Sequence, residues 1–288
     1  MAIWNLGSIN IDHVYQVPHL PAPGETLAAT AYSMGLGGKG ANQSVAAARA
    51  GAPTRHIGAV GPEGRWARDL LADYGVDVEQ VRIDQGASGH AIINVDPGAE
   101  NAIVLFSGAN RTHDAASVAA ALSAARPGDL LLLQNETSAQ VEAASRGRAL
   151  GLRVIYSAAP FEVAAVRAIL PHVDLLVMNE GEAGALRAAF GALPEREMLV
   201  TRGAEGAEWI TPGADTLAVA SFRVTPVDTT GAGDCFIGTL AAGLDAGLDR
   251  PMAMRRASAA AAIQVTRPGA AQAMPTAAEV DAFLSDRG

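Results

Sequence analysis

The sequence predicts an α/β fold in which a mostly parallel β-sheet carries helices on both faces and a small antiparallel sheet stands off it. Short apolar runs alternate with longer, alanine-rich amphipathic stretches through most of the 288 residues. Two segments break this alternation, because each holds strand-like runs joined by Pro/Gly turns without a helix between them. The chain is 49% hydrophobic, which is ample for a buried core.

The strands predicted for the main sheet are short apolar runs. They are residues 2–7, 55–61, 129–134, 152–157, 173–179 and 197–203. Amphipathic patterns predict helices between them, at roughly 40–50, 63–74, 138–150 and 180–190. From about 231 to 287 the chain is predicted to be almost wholly helical, with one break at TRPGAAQAMP. No linker-like change of composition divides the chain, so we expect one domain over residues 1–288.

The two segments that lack helices are residues 14–34 and 90–106. In the second, the sequence VDPGAEN separates two apolar runs, which is typical of a β-hairpin. We expect both segments to join in one small antiparallel sheet that forms a lid beside the main domain. The alternative is a pair of ordinary hairpins at the edge of the main sheet.

The overall charge restricts the partners that this chain can bind. The formal net charge is −9 at pH 7, which argues against nucleic acid and anionic membranes as main partners, because both require a basic surface. The single cysteine, Cys235, excludes an internal disulfide and a cysteine-rich metal site. The first residues lack signal-peptide features, and no apolar run approaches the roughly 20 residues that span a bilayer. We therefore expect a cytoplasmic protein.

The stretch GLGGKGAN contains glycines at 35, 37 and 40 that satisfy the G-x-G-x-x-G dinucleotide pattern. The preceding ATAYSM is half polar and belongs to the predicted lid, whereas a dinucleotide fingerprint follows a buried apolar strand. A Walker loop is excluded because Lys39 is followed by glycine. We interpret the stretch as a glycine-rich turn at a helix N-terminus, with Lys39 and Asn42 as polar contacts for a ligand. A purely structural turn is the alternative.

The stretch VDTTGAGDCF places Gly231, Ala232 and Gly233 directly before Asp234 at the start of an apolar helix. Bare backbone N–H groups at a helix N-terminus attract negative charge. Asp234 is then either a helix cap or a general base beside an anion hole that holds a transferring phosphoryl group.

Polar residues also follow the predicted strands. Asn179 and Glu182 lie in the first turn of a helix, where they either hold a hydrated Mg²⁺ or form a capping box. Asn10 and Asp12 lie two residues apart in an extended segment, so both can contact sugar hydroxyls from one side. Glu136 follows another buried strand and can do the same.

Taken together and in this order, these motifs resemble the ribokinase (PfkB-type) family of carbohydrate kinases over essentially the whole chain. The matching stretches are GSINID, PAPGET, GGKGANQSVAAARAGA, SGAN, NEGEA, VDTTGAGDCFIGTLAAGL and AAAAIQVTRPGA. The resemblance implies a ribokinase-like three-layer sandwich with a Rossmann-like sheet and a β-lid that often joins a homodimer. It also implies transfer of the ATP γ-phosphate to a sugar hydroxyl, with Mg²⁺ and an activating monovalent cation, usually K⁺.

The resemblance also implies roles for residues at matching positions. Asp234 would be the catalytic base, and Gly231, Ala232 and Gly233 the anion hole. The implied sugar-binding residues are Asn10, Asp12, Gly38, Lys39, Asn42, Ala91, Ile93 and Glu136. The implied nucleotide-binding residues are Asn179, Thr201, Gly203, Gly206 and Gly233, with Glu182 holding Mg²⁺ through water. The implied monovalent-cation residues are Asp228, Thr230, Val265 and Gly269, and Ala273 stands where a serine often completes that site.

The implied sugar contacts are most similar to those of family members that phosphorylate D-ribose at its 5-hydroxyl, and this is the activity we expect. Other family substrates are deoxyribose, a ketohexose, adenosine or pseudouridine, since a few pocket contacts decide among them. Two other classes of protein make distinct predictions. A sugar sensor would bind sugar without ATP turnover, and a dehydrogenase would bind NAD.

Overall fold

The computed structural model describes residues 1–98 and 100–287. Ala99, in the predicted hairpin turn, and Gly288, at the end of the predicted domain, lie outside the described residues. Within the described ranges the strands form a nine-stranded sheet and a four-stranded sheet. No helix in these ranges is long and apolar enough to cross a membrane.

The large sheet contains all six runs that the sequence predicts as its strands. In chain order the strands of both sheets are β1 (Ile3–Leu6), β2 (Asn10–Gln16), β3 (Ala31–Gly37), β4 (Thr54–Val60), β5 (Val81–Ile83), β6 (Gly89–Val95), β7 (Asn101–Phe106), β8 (Leu130–Gln134), β9 (Arg153–Ser157), β10 (Leu175–Asn179), β11 (Met198–Thr201), β12 (Ala207–Ile210) and β13 (Leu217–Val219). The large sheet has the order β13-β12-β11-β10-β9-β8-β1-β4-β5. Its pairings from β11 to β5 are parallel, and β12 and β13 extend one edge in antiparallel fashion.

Helices cover both faces of the large sheet, as predicted. In chain order they are α1 (Lys39–Arg49), α2 (Arg65–Asp73), α3 (Ala115–Ala121), α4 (Gln140–Ala149), α5 (Val163–Ile169), α6 (Glu180–Phe190), α7 (Ala232–Asp245), α8 (Arg250–Gln264) and α9 (Ala277–Ser285). In β8, Leu131 and Leu133 pack with side chains of α3 to α6, whereas Leu130 and Leu132 pack with α7 and α8 on the opposite face. Because successive side chains point to opposite faces, a strand that is apolar at every position is buried on both. The result is a three-layer sandwich.

The small sheet is the predicted lid, with the strand order β3-β2-β6-β7. Its two outer pairings are antiparallel, whereas the central pairing of β2 with β6 is parallel. β2 follows β1 and β6 follows β5, and β1 and β5 run in the same direction. Both lid strands therefore leave the large sheet at its carboxyl edge and run outwards side by side. β2 begins before residue 14, so that Asn10 and Asp12 belong to the lid.

The sequence patterns did not single out β5, β12, β13, α3 or α5. The three strands are only three or four residues long, and the two helices have seven residues each. Elements of this length complete about one or two repeats of their period, so hydrophobic periodicity does not identify them. Tertiary contacts with the neighbouring strands and the sheet faces hold them in place.

Candidate active site

A cleft of about 180 Å³ opens where β10 and β11 end and α7 begins. It is lined by Lys39, Ser157, Ala159, Val177, Met178, Asn179, Glu182, Thr201, Thr229, Gly231, Ala232, Gly233, Asp234 and Ile237. The carboxyl ends of parallel strands are where open α/β sheets bind ligands. The fold thus brings the predicted base, the predicted anion hole and several predicted nucleotide residues to one cleft.

The Asp234 side chain lies at the inner end of this cleft and is only 8% exposed. Its two oxygens accept hydrogen bonds from neighbouring amides of α1: Asn42 Nδ2 donates to Oδ2 and Gln43 Nε2 to Oδ1, each at 3.0 Å. Burial raises the pKa of Asp234, although Lys39 and the two amides act in the opposite direction. A carboxylate that is fixed in place and more basic than usual suits proton abstraction.

Close packing of α1 against α7 sets this geometry. A Cβ on Gly238 would overlap the carbonyl oxygen of Gln43 and the side chain of Ala46. Because glycine stands there, the two helices approach closely enough for the α1 amides to reach Asp234, which lies one helical turn before Gly238.

The three residues before Asp234 differ in why they are small. Gly231 has φ +78°, a left-handed conformation that requires glycine. At Gly233, by contrast, a Cβ would have no heavy atom within 4 Å, so protein packing leaves open space there. The N–H of Ala232 donates to the Thr229 carbonyl at 3.2 Å, and no side chain of the described residues caps α7. The start of α7 therefore offers space and a positive helix end to an anion.

Among the described residues that line the cleft, Lys39 alone is cationic. Burial acts to lower its pKa, but the carboxylates of Asp234, Glu136 and Glu182 outweigh burial and hold the pKa above its ordinary value. Lys39 is therefore charged at neutral pH and is surrounded by acidic groups from three other segments. Anionic phosphates and their cations can be accommodated here, whereas an anionic sugar would meet three carboxylates.

Asp12 lies on the lid strand β2, close enough to Glu136 for the two carboxylates to interact. A Cβ on Gly37 of the neighbouring β3 would overlap its carboxylate, so glycine provides the space for Asp12. Burial, and then the nearby Glu136 carboxylate, raise the pKa of Asp12 to about 6. The fold thus keeps a desolvated carboxylate close to the cleft, as binding of neutral hydroxyl groups requires.

Glu136 follows β8 and has a structural task in addition to its predicted sugar contact. Its Oε2 accepts the N–H of Lys39 at 3.0 Å and the hydroxyl of Ser8. The Ser8 hydroxyl in turn accepts the N–H of Gly40 at 3.2 Å. Gly38, with φ +95°, precedes α1 without a side-chain cap of its own, so Glu136 and Ser8 satisfy the helix N-terminus from outside.

The other predicted sugar residues lie on the lid. Asn10 Oδ1 accepts a hydrogen bond from Asn110 Nδ2 at 2.8 Å, which fixes the amide. Ala91 is opposite Asp12 in the β2–β6 register and lies on the same face, whereas Ile93 lies opposite Val14, one row further from the cleft. Asn10, Asp12 and Ala91 therefore form one surface, and Ile93 lies towards the outer end of the lid.

Asn179 and Glu182 form a capping box at the start of α6. Asn179 Oδ1 accepts the N–H of Glu182 at 2.9 Å, and Glu182 Oε2 accepts the N–H of Asn179 at 2.8 Å. The structural alternative is thus realised, but both side chains also line the cleft. Burial raises the pKa of Glu182 despite the opposing effects of the Asn179 N–H and of Lys39.

In the described part of the chain, no group of three or more His, Cys, Asp or Glu side chains could hold a metal ion. Glu182 fits a magnesium ion held through water on nucleotide phosphates.

The remaining predicted nucleotide residues follow β11. Thr201 ends β11 and lines the cleft. Gly203, with φ +52°, starts the turn that follows, and Gly206 ends it with φ +109°. A Cβ on Gly206 would overlap the carbonyl of Val219, so this glycine permits a close approach to β13. Thr201 is in the cleft, whereas Gly203 and Gly206 are not among its lining residues.

The four predicted cation residues lie together beside the start of α7. Asp228 accepts the N–H groups of Thr230 and Gly269, and these bonds outweigh burial and hold its pKa below the ordinary value. The carbonyl of Val265 accepts the N–H groups of Val227 and Asp228 at 2.7 and 3.1 Å. The oxygens of Asp228 and Val265 are therefore used inside the protein. The Val265 carbonyl accepts two N–H groups, whereas the two carboxylate oxygens of Asp228 keep lone-pair capacity that would be available to a monovalent cation.

Four residues that support the site were not singled out from the sequence. Gln43 holds Asp234, Gln134 holds Gln43, Asn110 holds Asn10, and Ser8 caps α1. The one available signal is a polar residue within an otherwise apolar or small-residue element. Such a signal does not show which partner the residue meets.

A wider depression of about 460 Å³ lies at the far edge of the large sheet beside Trp209. Its two arginines, Arg153 and Arg250, both pair with Glu197 and both face the Trp209 ring. Both guanidinium groups are thus held by contacts within the protein and share one carboxylate. We therefore place the candidate active site in the smaller cleft, where charged groups converge.

Comparison with known proteins identifies the family to which this chain belongs. Residues 3–277 match the family described as pfkB family carbohydrate kinase. The chain is 35% identical to a ribokinase of Haemophilus influenzae, with 97% of each chain covered, and 31% identical to a deoxyribokinase of Salmonella typhi, with 99% of each covered. The solved structure of Arabidopsis thaliana ribokinase complexed with ribose and ATP is 27% identical, with a TM-score of 0.85 over 99% of each chain. The chain therefore belongs to the pfkB family of carbohydrate kinases and is a ribokinase-family sugar kinase, a phosphotransferase with an alcohol group as acceptor.

Proposed function

We propose that this protein is an ATP-dependent kinase that phosphorylates D-ribose at its 5-hydroxyl, with residues 1–288 as one catalytic domain. The observation that carries the proposal is the position of Asp234. Its carboxylate lies beside the uncapped start of α7, at a cleft that also holds Lys39 and Glu182. This arrangement provides a base next to a space that accepts a phosphoryl group.

In the proposed reaction the 5-hydroxyl oxygen attacks the γ-phosphorus as Asp234 takes the hydroxyl proton. The bond from the γ-phosphorus to the bridging oxygen breaks, and ADP leaves. The N-terminus of α7 and the Lys39 ammonium stabilise the negative charge of the transferring group. Magnesium, held through water by Glu182, would neutralise phosphate charge.

The sugar is placed between the lid and α1. Asp12 and Asn10 contact its hydroxyl groups, and Lys39, Asn42, Gly38 and Glu136 complete the surface from the main domain. Ala91 and Ile93 close it from the lid. Support comes from the acidic character of the region, which favours a neutral polyhydroxyl compound, and from the A. thaliana relative that was solved with ribose and ATP.

We route no step through a monovalent cation. Asp228, Thr230, Val265 and Gly269 already hold the loop before α7 through their own hydrogen bonds. Their pattern supports a start of α7 that is formed without an ion. Activity in Na⁺ that equals activity in K⁺ supports this view, and strong dependence on K⁺ contradicts it.

The test of the proposed function is ADP release from Mg·ATP with ribose, deoxyribose, fructose, adenosine and pseudouridine, each with K⁺ and with Na⁺. Preferred turnover of ribose is the expected result. Preferred turnover of deoxyribose would move the substrate to that of the S. typhi relative and keep the mechanism. The absence of turnover with every acceptor would contradict the proposal.

Sugar affinity should depend on pH through Asp12. Its pKa is raised to about 6, so the carboxylate gains a proton as the pH falls through about 6 and loses acceptor capacity for hydroxyl groups. We expect the KM for sugar to rise below about pH 6, while the KM for ATP changes less. Initial rates from about pH 5 to about pH 8 measure this. The Asp12→Asn variant has no such group, and a sugar KM that keeps the same pH dependence in this variant would contradict the assignment.

We also propose that two copies associate through the lid. Large apolar side chains on its two edge strands, β3 and β7, are about half or more exposed: Tyr32, Met34, Ile103, Val104, Leu105 and Phe106. Every residue of the edge strand β7 is exposed, and such an edge favours pairing with another chain. We expect a dimer mass in sedimentation equilibrium, and a monomer for the double substitution Val104→Lys and Leu105→Glu. A monomeric wild type would contradict this proposal.

A further inference from the structure

A chain of buried polar side chains runs from the far side of α1 to Asp234. It consists of His56, Ser44, Asn5, Gln134 and Gln43, each of which is 0% exposed. Burying so many polar groups is costly unless each has a defined partner. The chain ends on the proposed catalytic base, so its hydrogen-bond directions bear on the chemistry.

Which group donates and which accepts along this series is fixed at its first member, His56. His56 Nε2 lies 3.0 Å from the carbonyl of Gly7, which only accepts, so this nitrogen carries the proton. Burial lowers the pKa of His56 to about 4, so the ring is neutral and its Nδ1 is an acceptor. The Ser44 hydroxyl, at 2.8 Å, must therefore donate to Nδ1. Its oxygen is then free to accept from Asn5 Nδ2, also at 2.8 Å.

The assignment continues through three amides, and the direction of donation reverses at Gln134, which donates to both of its neighbours. Asn5 Nδ2 donates its second hydrogen bond to the carbonyl of Gly40 at 2.8 Å. Asn5 Oδ1 is therefore the acceptor side of this amide. Gln134 Nε2 donates to Asn5 Oδ1 at 2.9 Å and to Gln43 Oε1 at 2.7 Å. Gln43 must then present its Nε2, and not its oxygen, to Asp234 Oδ1.

This arrangement leaves one polar atom of Gln134 without a hydrogen bond in the described part of the chain. Its Oε1 is buried and has no hydrogen-bond donor among the described residues. A buried acceptor without a donor destabilises the folded state. Rotating the amide would not relieve it, because Oε1 would then face two other oxygens. Gln134 is thus held in the orientation that presents a donor to Gln43.

We propose that Gln43 is a positioning residue for the catalytic base: its amide fixes the Asp234 carboxylate, and the buried chain from His56 to Gln134 fixes the amide. Gln43 does not touch substrate and acts through Asp234. By holding Oδ1 from behind, it leaves Oδ2, which Asn42 contacts, and the remaining lone pairs for the hydroxyl proton. The inference rests on the proposed function, because it takes Asp234 as the base.

Substitution of Gln43 should act on the base and not on substrate affinity. Gln43→Met removes the donor and keeps a similar volume. We expect the acidic limb of kcat to move up by about one pH unit, so that kcat on the acidic side of the limb falls about tenfold, since a lost hydrogen bond to a charged group destabilises the carboxylate. Both KM values should stay the same. The titratable groups that face Asp234 are Lys39 and Glu136, with Glu182 acting on Lys39, and none of them is altered.

Two further variants separate positioning from packing. Gln43→Glu keeps the shape but sets a second carboxyl group against Asp234, so the limb should move up further than in Gln43→Met. Gln134→Met keeps both contacts to Asp234 and should move the limb in the same direction by less. As the control, Asp129→Asn weakens buried hydrogen bonds to Trp4 and Ala2 at the other end of β1, and should lower Tm without moving the limb.

The outcomes separate this inference from the proposed function. If Asp234→Asn loses activity but neither Gln43 variant moves the acidic limb, Gln43 only packs and the inference is wrong. If Asp234→Asn remains active, the base assignment itself fails. Limb shifts in both Gln43 variants, without a change of either KM, support the inference even where Tm falls.

Discussion

Replacement of Asp234 by asparagine is expected to lower kcat by about 10²–10⁴-fold, while sugar and nucleotide still bind. Asparagine has nearly the same shape but takes no proton from the attacking hydroxyl. The positive N-terminus of α7, Lys39 and the space at Gly233 are unchanged, so the phosphoryl group is still accommodated. The measurement is kcat under saturating Mg·ATP and sugar, together with the affinity for each ligand by calorimetry.

The hydrogen-bond partners of Asp234 can accommodate the asparagine amide. The new Nδ2 would meet one of the two amide donors, but Asn42 Oδ1 is buried without a partner in the described part of the chain. Rotation of the Asn42 amide would present that oxygen to the new donor. Burial also raises the pKa of Asp234, so its ionisation is less favourable in the folded than in the unfolded state. Loss of the charge should therefore not lower Tm.

A matched control lies in the same helix. Asp245 ends α7, about 16 Å from Asp234 at 1.5 Å per residue, and is also buried. Asp245→Asn makes the same chemical change and should leave kcat as it is. An Asp234→Asn enzyme with wild-type kcat would remove the base from the proposed mechanism. Equal losses in both variants would indicate a general effect on α7.

Replacement of Asp12 by alanine is expected to weaken sugar binding about a hundredfold or more, with little change in ATP binding. A charged acceptor that holds two hydroxyl groups loses roughly 1.5–3 kcal/mol for each hydrogen bond removed. Asp12 lies on the lid and is not a lining residue of the cleft beside α7. The measurement is the KM or Kd for sugar and for ATP, each at saturation of the other ligand.

Stability gives an independent check on Asp12. Its folded-state pKa is about 6 against an ordinary 3.8, so the ionised form is penalised by folding. A group with a raised pKa favours the folded state most at low pH and loses that contribution as the pH rises through about 6. At neutral pH its removal should therefore keep or raise Tm. A fall in both affinities with a lower Tm would instead indicate a folding defect.

Gln16 provides the control for Asp12. It lies on the same strand and the same face, at the outer end where its side chain is exposed. Gln16→Ala should leave the sugar affinity unchanged. If both variants weaken sugar binding alike, the lid as a whole and not the Asp12 carboxylate is responsible.

Much of the fold follows from local patterns in the sequence. The run from Leu130 to Leu133 is apolar at every position, which is typical of a strand buried on both faces, and β8 is such a strand. The small residues before Asp234 predicted a helix start with bare N–H groups, and α7 begins at Ala232. Likewise, Asn179 and Glu182 have the spacing of a capping box, and they form one.

Pairings between distant segments were harder to predict from the sequence. The parallel pairing of β2 with β6 depends on where both strands leave the large sheet, and neither strand carries that information alone. Similarly, Glu136 was interpreted as a sugar contact, whereas in the fold it also caps α1 across 97 residues of sequence. Its carboxylate does both only because β8 ends beside the start of α1.

The sequence by itself determined which residues are chemically able to act: a carboxylate after three small residues, a lysine in a glycine-rich turn, and acidic and amide groups after buried strands. The tertiary structure decided how Asp234 is held, since its partners Asn42 and Gln43 lie 192 and 191 residues away. The physical reason is that hydrophobic periodicity reports only which face of an element is buried. The direction of a buried hydrogen bond depends on what the packed elements bring opposite each donor, and here that is settled by the approach of α1 to α7 and by the chain from His56 to Gln43.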